Sequence, residues 1–202
     1  MGKTVAYVAA AVVFLGIGAL AAGLAVWYTH PERQNNLPEE PRMAKCVLAS
    51  TTLGDGVTGE LTLTEDLPSR PVKVEGVISG LSEGKHGFHI HQWGVKGAEM
   101  GCVDAAGHYN PGNFQHAAPN ATERHVGDLG NIVSGADRVS NVQIEDDIIT
   151  LWGERSIVGR SIVVHEGEDD LGLGGFDDST TTGHAGGRVA CCNVYLVPVD
   201  KS

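Results

Sequence analysis

Residues 58–78 read TGELTLTEDLPSRPVKVEGVI, and their spacing sets the fold class. Leu61 and Leu63 alternate with Glu60, Thr62 and Thr64, and Val72 and Val74 flank Lys73. An apolar side chain at every second position describes a strand with one face to a core and one to water. Similar short runs predict strands at 46–53, 58–63, 72–78, 87–93, 129–134, 139–145, 161–165 and 189–197. Gly54-Asp55-Gly56 and Ser82-Glu83-Gly84 supply turn residues between them. No stretch after residue 45 carries a convincing helical period. The expectation is an all-β domain of eight antiparallel strands, a sandwich or barrel. Two connections, 94–128 and 166–188, are too long for turns, and such loops in a compact domain are usually functional.

Around this domain the chain is uneven. It has 202 residues with 14 Lys+Arg against 25 Asp+Glu, a formal charge of −11. That balance argues against a nucleic-acid partner, whose phosphates are bound by cations. Residues 5–28 carry no charge and, apart from three glycines, are all apolar. A helix of about 20 such residues crosses a bilayer core, so 1–30 reads as a signal anchor or a cleaved signal peptide. The sequence alone does not separate the two. Lys3 and the free amine precede the span, which favours a cytoplasmic N-terminus and an exported, extracellular remainder. Residues 31–45, with Pro31, Pro38 and Pro41 among charges and amides, read as an extended linker. The domain is then 46–202.

Histidines supply the chemistry. In Gly87-Phe88-His89-Ile90-His91-Gln92-Trp93-Gly94 the two imidazoles are two apart on a strand and share a face. By itself that pair is a weak signal. The first long loop adds His108, His116, His125 and Asp128, and three nitrogens with one oxygen suit a structural zinc ion. His165 ends the run Ile162-Val163-Val164 and is available as a third ligand beside His89 and His91, an imidazole-rich set that also suits copper.

These residues carry a resemblance. GFHIHQWG, GHYNPGNFQHAAPNATERHVGDLG, VVHEGEDDLGLGG and GHAGGRVAC resemble, in order, the signature segments of the copper/zinc superoxide dismutases across nearly all of 46–202. The resemblance implies an eight-stranded Greek-key barrel that dismutes superoxide, with one copper and one zinc per subunit. It implies copper on His89, His91, His108 and His165, and zinc on His108, His116, His125 and Asp128. His108 is then an imidazolate shared by both ions and the site of proton uptake when copper is reduced. Asp169 matches a carboxylate that hydrogen-bonds ligands of both metals, here His89 and His116. Arg188 matches the cation beside copper that meets the anionic substrate. Cys102 and Cys191 match a disulfide between the first long loop and the last strand.

The remaining features are read beside that resemblance. Four cysteines allow three full pairings; Cys46 is expected to pack as a small buried apolar residue, and Cys192 has no assignment. Exported conditions preserve disulfides. Asn120-Ala121-Thr122 is a glycosylation sequon in the zinc-side loop. His86, beside a turn, is expected at the solvated surface, as is His184, which when protonated would add to the field near Arg188. Trp93 and Phe88 are expected to pack. The family is commonly homodimeric, so a homodimer is the expected assembly, although residues 95–100 form a slightly longer loop near the family's dimer contact. From residue 46 onward, ten basic side chains face 22 acidic ones. Many members carry lysines near positions 167 and 181, where this chain has Gly167 and Thr181, so weak steering of the anion is expected. A metal-binding or delivery module without catalysis is the alternative reading.

Overall fold

The computed structural model describes residues 40–66 and 71–199; the apolar segment 5–28 and most of the expected linker lie outside the described residues. Nine strands follow in order: β1 Arg42–Ser50, β2 Thr58–Glu65, β3 Val72–Ser79, β4 Gly84–His91, β5 Asp128–Ser134, β6 Val139–Asp146, β7 Ser161–His165, β8 Arg188–Asn193 and β9 Tyr195–Val197. The hydrogen-bonded path runs β5-β4-β7-β8-β1-β2-β3-β6, with β9 on β1 and every ladder antiparallel. Its two end strands, β5 and β6, are consecutive in sequence and joined by a tight turn in which the Gly135 N–H donates to Val139 O at 3.1 Å. The result is an all-β, nearly closed barrel of eight strands.

Alternation explains the wall. Ala44 of β1 pairs with Leu63 of β2, which pairs with Val74 of β3, and all three side chains are fully buried. Phe88 and Ile90 of β4 join the same core, each contributing about 1.5–3 kcal/mol by burial. The residues between them, His89 and His91, point the other way, yet β4 is buried on that face too. The long loops, 92–127 and 166–187, cover it. Short helical turns at Ala98–Met100, Val103–Ala105 and α1 (Ser179–Thr182) lie within these loops.

Several expectations change. The first strand begins at Arg42, four residues inside the stretch read as linker. The last is two strands, because at Val194 the chain leaves β7 for β1; the Val194 N–H donates to Arg160 O at 2.9 Å at that step. Trp93 is 58% exposed rather than packed, whereas Phe88 is in the core. Cys46 is buried but not free: it is bonded to Cys192, while Cys102 is bonded to Cys191. Adjacent strand residues point to opposite faces, so Cys192 reaches inward to β1 and Cys191 outward to the loop.

Candidate metal centre

The first long loop is tied to β4 at both ends. Gln92 N–H donates to Gly107 O (2.8 Å), Tyr109 N–H to Ile90 O (2.9 Å), and Ile90 N–H to Gly127 O (2.9 Å). His108 is thereby set directly against His91. Irregularities in register fall between Gly87 and His89 and between Val164 and His165, where a bulge re-aims side chains out of the regular pleat. Arg124 is buried, bonds the carbonyls of His125, Val126 and Asp128, and pairs with Asp146 of β6, which pins the far end of the loop to the barrel.

Two sets of buried side chains result, sharing His108. His89, His91, His108 and His165 bring one ligand atom each within 4.8 Å of one another, and so do His108, His116, His125 and Asp128. In the first set the outward nitrogens are spoken for. His89 Nε2 bonds Asp169 Oδ2 (2.8 Å), His91 Nδ1 donates to Ala106 O (2.9 Å), and His165 Nδ1 donates to Gly186 O (3.1 Å). The inward ones are not. His89 Nδ1 and His108 Nε2 are buried without a partner among the described residues, and His91 Nε2 faces His165 Nε2 at 3.3 Å.

Buried ring nitrogens left unpaired are costly unless something completes them. Four imidazoles whose bare nitrogens converge make a donor set that fits copper.

The second set is built around one carboxylate oxygen. Asp128 Oδ1 lies 2.8 Å from His108 Nδ1, 2.9 Å from His116 Nδ1 and 3.0 Å from His125 Nδ1. The His116 contact lacks hydrogen-bond alignment, so that nitrogen counts as unsatisfied despite its closeness. Three nitrogens and an oxygen aimed at common ground fit zinc as a closed four-ligand site. Asp169 joins the two sets, its Oδ1 accepting from His116 Nε2 at 2.7 Å while Oδ2 holds His89. Gly183 is required beside it. Its φ is +69°, and a Cβ there would sit 2.0 Å from Asp169 Oδ1 and 2.6 Å from His116 Nε2.

The electrostatics of the two sets differ. Burial, then the neighbouring imidazoles, holds His89 and His91 well below the usual imidazole range, and His165 falls to about 4. Burial lowers His108 as well, against the pull of Asp128. At His116 burial also acts downward, but the Asp128 and Asp169 carboxylates outweigh it and raise the ring to about 9. Burial opposes the ionised Asp128 carboxyl, yet its three histidine partners hold it far below the carboxylate range.

Arg188 opens β8 half-buried, donating to Cys102 O from Nη1 (2.6 Å) and to Ala106 O from Nη2 (2.5 Å). Ala106 O also takes the His91 proton, so the guanidinium is keyed to the first set.

Sequence reasoning missed three residues. His86 is 2% exposed rather than solvated: its ring bonds His165 O (2.8 Å) and Ser82 O (2.9 Å) and so grips the backbone of a cluster member. Its place three residues ahead of His89 puts it on the opposite face, where the Ser82 turn and the β7 backbone take up its ring. Asn131 of β5 bonds the Asp169 backbone twice, through Oδ1 and Nδ2 at 2.8 Å each. The backbone carbonyl of Thr180 accepts from His116 N–H at 2.8 Å, linking the two loops. His184 is exposed as expected, but it is engaged, with Nδ1 2.7 Å from Asp178 Oδ1 and its ring stacked on Phe176.

An antiparallel Greek-key barrel whose outer wall and loops enclose two adjoining metal-ligand sets, one all-imidazole and one with a carboxylate, defines a class of dinuclear β-barrel metalloprotein. The family model of copper/zinc superoxide dismutase matches residues 57–194. Among curated relatives, superoxide dismutase (Cu-Zn) 5 of Dictyostelium discoideum is 53% identical over 143 residues, 71% of this chain and 93% of that protein. Superoxide dismutase (Cu-Zn) 4 of the same organism is 52% identical over 139 residues, 68% of this chain and 90% of that protein. The chain belongs to the copper/zinc superoxide dismutase family.

Proposed function

We propose that this chain is a superoxide dismutase that converts two superoxide anions and two protons to oxygen and hydrogen peroxide. Copper is assigned to His89, His91, His108 and His165, and zinc to His108, His116, His125 and Asp128. The observation that carries the reading is the convergence of buried, unpaired imidazole nitrogens beside Arg188. Copper, when bound, supplies the one-electron redox step, and zinc, without redox chemistry, holds its ligands in place.

The chain's own groups do the rest. Arg188 presents a fixed cation with hydrogen-bond donors to a small anion. His108, held at Nδ1 by Asp128 (2.8 Å), turns Nε2 toward the first set and is the atom that takes up and returns a proton during turnover. Asp169 and the carbonyls of Ala106 and Gly186 fix the tautomers of His89, His91 and His165, which keeps the correct nitrogen bare.

The test is superoxide decay followed directly by pulse radiolysis on protein containing one copper and one zinc per chain. Catalysed decay that is lost in His165→Ala supports the reading. Two metals bound with no acceleration would leave the noncatalytic binding module instead.

The wider setting is part of the proposal. Two disulfides and the apolar segment 5–28 favour a domain that works outside the cytoplasm, released or held by that segment. N-terminal sequencing with fractionation decides which. Asn120 is exposed on a turn, suited to a glycan that a glycosidase shift on a gel would reveal. A homodimer is the proposed assembly, tested by light scattering.

A further inference from the structure

Arg188 does not hang free at the rim of the centre. Its two Nη groups strap the ends of the turn Val103–Ala105, through Cys102 O and Ala106 O. Cys102 (φ 55°, left-handed) and Ala106 (φ 62°, ψ −146°) both bracket that turn at positive φ, so the turn is held in a conformation these residues rarely adopt. At its middle stands Asp104. One carboxylate oxygen, Oδ2, accepts the Lys96 backbone N–H at 2.9 Å. The other, Oδ1, is buried and has no hydrogen-bond partner among the described residues.

A carboxylate oxygen in that condition persists only where an opposite charge compensates it. Arg188, strapped to both ends of the turn that carries Asp104, supplies that charge without a direct ion pair between the two: burial lowers the basicity of its guanidinium, and Asp104 acts in the opposite direction. Two of the five guanidinium N–H donors are spent on carbonyls, leaving the others for an anion, whose attraction depends on how much positive potential Asp104 leaves uncompensated.

We propose that Asp104 is the internal counter-charge of Arg188 and sets how strongly the mouth of the metal centre holds small anions, superoxide among them. This rests on the assignment of copper and of Arg188 given under the proposed function. The chain then carries a damped cation that holds small anions, superoxide included, more loosely than an uncompensated guanidinium would.

The test uses the full-length protein loaded with both metals and azide as the probe, with Kd read from the absorption of the copper-bound anion. Asp104→Asn keeps an oxygen for the Lys96 N–H and removes the charge. Azide should bind roughly three- to tenfold more tightly at low salt. That gain should shrink only in part near 1 M salt, because a coupling through a buried carboxylate is screened much less than one between exposed charges. In an Arg188→Ala background the same substitution should change Kd less than about twofold, because the coupling runs through the guanidinium.

An unchanged Kd in protein that retains both metals and the Cys102–Cys191 bond overturns the proposal, and so does an equal gain in the Arg188→Ala background. Asp104→Ser removes the charge with a smaller side chain and must give the same tightening if Asp104→Asn folds poorly. Absence of catalysed superoxide decay in the unaltered protein would overturn the reaction while leaving the azide result to stand on its own.

Discussion

The two halves of the metal centre are built by opposite strategies. The copper-side set stands mainly on strands: His89 and His91 on β4 and His165 at the end of β7, with backbone carbonyls as partners for two of the three. It is neutral by construction, since burial and mutual repulsion keep its imidazoles unprotonated. The zinc-side histidines stand on a loop, and what fixes them is charge: Asp128, at the start of β5, touches three rings, and Asp169 with Asp128 keeps His116 on the protonated side of neutrality. A rigid wall can place neutral ligands by packing alone. Loop residues, with little core of their own, need carboxylates to gather them.

The largest test of that contrast is Asp169→Asn. It weakens the one carboxylate that bonds His89 among the described residues, and also one of the two that hold His116. Zinc affinity should fall about 10- to 100-fold, the usual cost of losing such a partner, and copper affinity should fall less; competition with a chelating dye measures both. Equal losses would break the distinction.

Next comes the disulfide pair. Cys46–Cys192 staples β1 to β8 inside the wall, whereas Cys102–Cys191 staples the loop that Arg188 straps. Replacing Cys46 and Cys192 together by Ala should cost about 2–5 kcal/mol in denaturant unfolding, with the azide Kd unchanged. Replacing Cys102 and Cys191 should alter azide binding as well.

The pH response separates the halves more finely. Metal must displace a proton from His116 at any pH below about 9, so zinc affinity should fall about tenfold per unit as pH drops from 9. In zinc-free protein, where His108 need not give up its second proton, copper affinity should stay nearly flat until pH approaches the His165 value of about 4. Stability of the metal-free protein follows the same signs. Depressed histidines lose it as pH falls from the unfolded value of about 6.5 toward 4, while the contribution of His116, complete below about 6.5, disappears as pH rises through 9. Calorimetry of the metal-free chain across this range checks both limbs; a maximum outside about pH 5–8 would contradict the assignment.

The smallest effect is on steering. Lys85 reaches the second long loop, but it is paired with Glu168 at 2.7 Å, and both are exposed. The catalytic rate constant should change less than about threefold between 10 and 150 mM salt, because exposed pairs add little field.

The sequence carried much of this. Alternation at Leu61/Leu63 and Val72/Val74 marked strands because a strand shows its two faces directly in the order of residues. The ligand candidates were legible for a related reason: imidazoles and a carboxylate clustered in 87–128 have few other uses at that density. Where the reading failed, the missing information was three-dimensional. His86 looked solvated because the groups that bond its ring, the turn at Ser82 and the carbonyl of His165, come together around it only in the fold. Cys46 looked solitary because its partner lies 146 positions away. The last strand looked single because its apolar pattern continues through Val194 while the ladder changes partner there.

The sequence by itself determined the all-β class, the two long loops, the ligand types and the acidic balance, since each follows from local order and composition. Only the tertiary structure decided which cysteines meet, that Asp169 joins both ligand sets, and that Arg188 straps the turn carrying Asp104. Those are contacts between segments far apart in the chain. Barrel closure and loop backbone geometry fix them, and neither is written in any one stretch of residues.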